Sequence, residues 1–90
     1  MNTTPLLLVR TAIAHHLRVP IAAVLPRHVL QSDLAIDGID LAFITVDLED
    51  ATDVEIAVPD LDDEATVEDF AAIVASVFER PRLRYAGGMR

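Results

Sequence analysis

The sequence predicts an all-α fold: a small four-helix bundle with three long helices, one short one and a long loop after the first helix. Three observations lead there. Apolar residues recur at three- and four-residue spacing in three separate windows, as they do along one face of an amphipathic helix. Each window opens on a good N-cap residue: Thr4, Asp37 or Thr66. The one briefly alternating stretch, Asp53 to Pro59, has no second strand to pair with, so it reads as extended loop.

The first helix runs from about Pro5 to Leu17. Pro5 suits the first helical position, where its missing N–H has no intrahelical partner to lose. Leu6, Val9, Ile13 and Leu17 share a face, and Arg10 and Arg18 lie beside that stripe, where their stems can snorkel. The connection from Val19 to Gly38 is too long to be structureless in a compact domain. Pro20 opens a short helical turn through Ala22, Ala23, Val24 and Leu25, and Pro26 ends it. Val29, Leu30 and Leu34 then tack the loop onto the core.

The second long helix runs from about Gly38 to Ala51, with Asp37 as N-cap and Asp40 in its first turn, opposite the positive end of the helix dipole. Leu41, Ile44 and Leu48 form one apolar stripe, and Ile39, Phe43 and Val46 form a second on the other side. A helix apolar on two sides is either central or partner-binding. Asp60 to Ala65 reads as one short helical turn. In the last helix Thr66 is the N-cap and Asp69 sits at N3, a variant of the capping box. Val67, Phe70, Ala71, Val74, Val77 and Phe78 follow at helical spacing until Pro81 stops them. Residues 1–80 therefore form the bundle, and 81–90 form a basic, flexible C-terminal tail.

Composition narrows the function. The chain has 90 residues, 52% of them apolar, which suits one small domain with a core of its own. The absence of cysteine excludes disulfides, thiolate metal sites and cysteine nucleophiles. Fifteen acids against seven arginines give a net charge of −8, which argues against nucleic acid and for basic protein surfaces as partners. No apolar run reaches the ~20 residues of a membrane span, and the first residues lack the basic start of a secretory signal. The expected location is the cytoplasm, and the expected state is a monomer.

Other constellations fail on spacing. Asp33, Asp37 and Gly38 match three positions of a calcium loop, but Ala35 and Ile44 occupy ligand positions, the latter where a bidentate Glu belongs. His15 and His16 point about 100° apart on a helix and do not chelate one ion together, and His28 stands alone, so no metal site is expected. Nothing supplies a nucleophile, a base and an oxyanion hole together, so no enzymatic activity is expected.

Several segments occur in a telling order. Asp33-Leu34 leads through Ile36 to Asp37-Gly38-Ile39-Asp40, and the helix that follows ends in Leu48-Glu49-Asp50. Asp53-Val54-Glu55-Ile56 then leads to Pro59-Asp60, and Thr66-Val67-Glu68-Asp69 opens the last helix. In this order and spacing the chain resembles the acyl carrier protein family from about Pro5 to Phe78. That family holds its acyl group as a thioester on a phosphopantetheine arm, joined to a serine at the start of the second long helix. Here the equivalent position is Gly38, which has no hydroxyl. Ser32 precedes its acid instead of following it, and Ser76 sits within the last helix, so neither replaces it. Phe43 stands where the family often has an acid, and Ala57 and Val58 are additional residues before Pro59.

The resemblance implies an acyl-carrier-like protein of fatty acid, lipid or polyketide-type metabolism. Its partners would be acyl-transfer or synthase-type enzymes with basic docking surfaces, met through the acidic second helix. The matching positions are Asp37, Ile39, Asp40, Phe43, Val46, Asp47, Glu49 and Asp50. No cofactor is expected on the chain as given, and phosphopantetheine only where residue 38 is serine in the native protein. The glycine is either a natural loss or a Ser→Gly replacement that blocks modification. The alternative is a regulatory or scaffolding interaction module of the same fold. The plain reading of the same residues is a solvated acidic face and a second apolar stripe buried against another helix.

Overall fold

The computed structural model describes residues 4–79 of the chain. Helix α1 (Pro5–Leu17) starts where its cap places it, with the Thr4 hydroxyl accepting the Leu7 N–H at 3.1 Å. It ends at Arg18, whose φ of 61° is left-handed. The Val19 amide reaches back to the Ala14 carbonyl and the Arg18 amide to that of His15, the pattern of a Schellman close. An arginine in the place usually taken by glycine costs roughly 1–2 kcal/mol of backbone strain.

A single 3-10 turn (Ile21–Ala23) follows. Arg10 does more than snorkel: its Nε donates to the Val24 carbonyl at 2.7 Å and its Nη2 to that of Ile21 at 3.2 Å, tying this turn to α1. Helix α2 (Gly38–Thr52) and helix α3 (Val67–Phe78) complete the fold. The described residues thus hold three α-helices and one 3-10 turn, in place of the four-helix count expected. The helical turn expected over Asp60 to Ala65 is not helical. Asp62 uses its side chain to accept the Glu64 amide and its carbonyl to accept that of Ala65, and such Asx geometry competes with helix formation. The C-terminal tail lies outside the described residues.

α1 packs against both α2 and α3. Val9 and Ile13 of α1, Ile44 and Leu48 of α2, and Val67, Phe70 and Val74 of α3 are buried together. Leu6 and Leu17, expected in the α1 stripe, are half-buried against this cluster, while Ala12 and Ala14 are buried in it. The loops contribute as well: Val24, Leu30, Ile36 and Ile56 are buried in the same cluster.

The long loop is held to α3 by its backbone. The carbonyls of Pro26 and His28 accept the Glu68 and Val67 amides, both at 2.9 Å, and the Leu30 amide donates to Ala65 at 2.9 Å. Val29 and Thr66 form an isolated antiparallel bridge. Thr66 and Asp69 close a reciprocal box, side chain to amide, at 3.1 and 2.9 Å. The amides that no helical turn can satisfy at the start of α3 are therefore all paired.

Thr66→Ala should lower stability by about 1 kcal/mol, read as a lower urea midpoint at unchanged slope. An unaltered midpoint would mean that the loop carbonyls alone hold the start of α3.

Candidate functional site

The start of α2 is built from two aspartates. Asp37 Oδ1 accepts the Asp40 amide at 2.8 Å, and Asp40 Oδ2 accepts the Asp37 amide at 3.1 Å. Gly38 sits between them as the first residue of the helix. A Cβ built on it meets nothing within 4 Å, and its φ is not in the left-handed range. The corner is therefore open and sterically ready for a side chain. What it lacks is an oxygen.

Beside Gly38 lies a half-open depression of about 170 Å³, with Leu30, Ile36, Leu41 and Leu61 among its lining and Asp37 and Asp60 adding charge. Val58 is exposed and also lines it.

The second apolar stripe of α2 faces solvent. Ile39, Phe43 and Val46 are 70, 58 and 49% exposed, whereas Leu41, Ile44 and Leu48 are buried. Among the described residues, no helix buries this stripe. The reason is topological: α1 covers only one side of α2. Thr45 is buried despite its hydroxyl because that group donates to the Leu41 carbonyl at 2.8 Å.

The acids divide by what they already bind. Asp50 is exposed at the end of the stripe. Asp37 and Asp40 are spent in part on the cap. Glu49 also accepts a backbone amide, that of Ile56 at 2.7 Å, and anchors the loop after α2. Asp40 and Asp47 are met from α1. His16 Nε2 lies 2.9 Å from Asp40 Oδ1, and His15 Nδ1 lies 3.9 Å from Asp47 Oδ2. The His16 ring also stacks on Phe43, centroids 6.3 Å apart and planes at 21°. The sequence placed these histidines on the first helix but gave no sign of what they face. Ser32 lies in an exposed turn and Ser76 on an exposed position of α3, outside this corner.

The open helix start under its reciprocal aspartate cap is thus followed by an exposed acidic and apolar face. A family model described as phosphopantetheine attachment site matches residues 8–74, and the chain belongs to that family. Comparison with curated proteins and with solved structures returned no match. The family's members normally hold phosphopantetheine on a serine. The residue present here does not fit that group, because Gly38 offers no atom to bond it.

The hydrogen bond from His16, and next to it that from the Asp37 amide, hold the Asp40 carboxyl below its ordinary value of 3.8. A lowered carboxylate pKa adds stability that is complete above the unfolded-state value. It is lost as pH falls through the folded-state value. Wild-type stability should therefore drop more steeply below about pH 4 than that of Asp40→Asn. Parallel acid-unfolding curves for the two proteins would remove Asp40 from this role.

Proposed function

We propose that this protein is a carrier-family domain of fatty acid, lipid or polyketide-type metabolism that acts by docking on partner enzymes and carries no arm at Gly38. One observation bears most of the weight: an exposed stripe of Ile39, Phe43 and Val46 runs directly from the helix start at Gly38, where there is open space for a side chain. An apolar stripe flanked by carboxylates suits a partner groove that is apolar at its centre and basic at its rim. Asp37, Asp40, Asp47 and Asp50 supply the charge. Glu49, expected with them, also accepts the Ile56 amide.

A regulatory or scaffolding module of the same fold is the second reading, and Phe43 favours it. An aromatic side chain at the centre of the face is a typical anchor of a lasting interface, and it replaces a charge suited to brief, steered encounters.

Restoring the missing atom tests the carrier ancestry. Gly38→Ser, incubated with coenzyme A and a broad-specificity phosphopantetheinyl transferase, should gain one phosphopantetheine by intact mass, with adenosine bisphosphate released as the phosphodiester forms. The unaltered chain should gain none. Absence of any gain in the Ser variant would sink the carrier reading of this corner. Intact mass of the protein from its native cells checks the glycine itself: the mass of this chain, unmodified, is expected.

In the Gly38→Ser background, Phe43→Asp should change the transfer rate by about tenfold or more, since central aromatic anchors carry on the order of 2 kcal/mol at interfaces. An unchanged rate would make Phe43 a bystander.

A further inference from the structure

Two histidines at the end of α1 face two aspartates of α2, at the margin of the exposed stripe. His16 touches the stripe directly: its Nε2 meets Asp40 and its ring lies against Phe43, one turn further along α2. His15 is 84% exposed and approaches Asp47, which lies one turn beyond Phe43. Asp40, Phe43 and Asp47 thus lie one turn apart on α2, each met by His15 or His16 from the last turn of α1. Arg18 and Val19 line the same hollow as His15, His16 and Asp47.

From this placement we propose that the docking face is shared between α1 and α2, and that His15 and His16 set its charge. With neutral imidazoles, Asp37, Asp40, Asp47 and Asp50 present four carboxylates around Ile39, Phe43 and Val46. With both imidazoles protonated, two of the four are answered from within the chain. The face then binds a basic, apolar-centred protein groove when the histidines are neutral and loosens its hold when they are charged. Histidine is the side chain whose charge ordinarily changes between about pH 5 and 8, while aspartates stay ionised over that range. The remaining charged group that lines this hollow is Arg18. The Asp40 carboxyl, held low by His16, stays available as the acceptor.

The direction is opposite to that of the internal contacts. Protonation strengthens the bonds across α1 and α2 and weakens the attraction of a basic partner. The His16 ring also stacks on Phe43, so it can act as a positioning residue for the aromatic anchor as well as a source of charge.

This inference rests on the docking reading above, and the test separates the two. The probe is a synthetic amphipathic helix with a leucine stripe flanked by arginines, titrated at low salt into the full chain. Amide shifts should map its contacts to Ile39, Phe43, Val46 and the last turn of α1. Its Kd should rise about fivefold to tenfold between about pH 7.5 and pH 5.5, as two rim charges are neutralised. In His15→Gln/His16→Gln the rise should shrink below about twofold. Glutamine suits a helix and can still donate to Asp40, and His28 remains as an internal control. Because His15 is exposed, His15→Gln alone serves as the variant certain to leave the core untouched, and it should remove part of the rise. Binding that survives Phe43→Asp would overturn the docking reading itself. Binding lost in Phe43→Asp but equally pH-sensitive in the double glutamine variant would overturn the histidine control alone.

Discussion

Two carbonyls in the middle of a loop, those of Pro26 and His28, accept the first amides of α3. Those amides have no partner within their own helix, and unpaired donors near a core are costly. Satisfying them from the loop does two things at once. It lets α3 begin beside the core with Val67 buried in its first turn, and it fixes a connection that would otherwise wander. Once Pro26 to Leu30 is pinned, Val24, Leu30 and Ile36 fall into the core, and the chain arrives at Asp37 in one place. The position of the α2 start, and so of the candidate site, follows from a seam on the far helix.

α2 then works under a division of labour. One side, through Leu41, Ile44 and Leu48, binds it to the bundle. The other leaves Ile39, Phe43 and Val46 in water, where each forgoes roughly 25 cal/mol for every Å² of apolar surface that burial would remove. A chain this small has little stability to spare, so an exposed stripe of this size is a property for which folding alone gives no reason. The docking proposed for this face would supply one.

The helices were legible because their signals are local. Thr4, Asp37 and Thr66 each cap the helix assigned to them, and the apolar spacing of α3 gives its buried face. The partner contacts were not legible, because they join groups that no residue type announces. The Val29–Thr66 bridge and the Leu30–Ala65 bond are made by backbone atoms that every residue has. Arg10, Glu49 and His16 are charged or titratable side chains whose partners lie 14, 7 and 24 residues away. Periodicity showed that α2 has two apolar faces but not which one α1 covers. The over-reading of Asp60 to Ala65 has a similar origin: a run rich in Asp suits a helix start as well as an Asx turn, and Asp62 took the turn.

Backbone conformation adds a further consequence for Gly38. Three residues of the described chain adopt left-handed φ: Arg18, Ala35 and Asp53, at 61°, 55° and 60°. These are the positions where glycine relieves strain, and none of them is glycine. The glycine among the described residues stands instead at a helix start with ordinary φ and open space around it. There its freedom is an entropic loss on folding, since a Cβ would fit and most residues would be less flexible when unfolded. Conformational need therefore gives no account of residue 38, and the property that distinguishes it is the bare hydrogen itself.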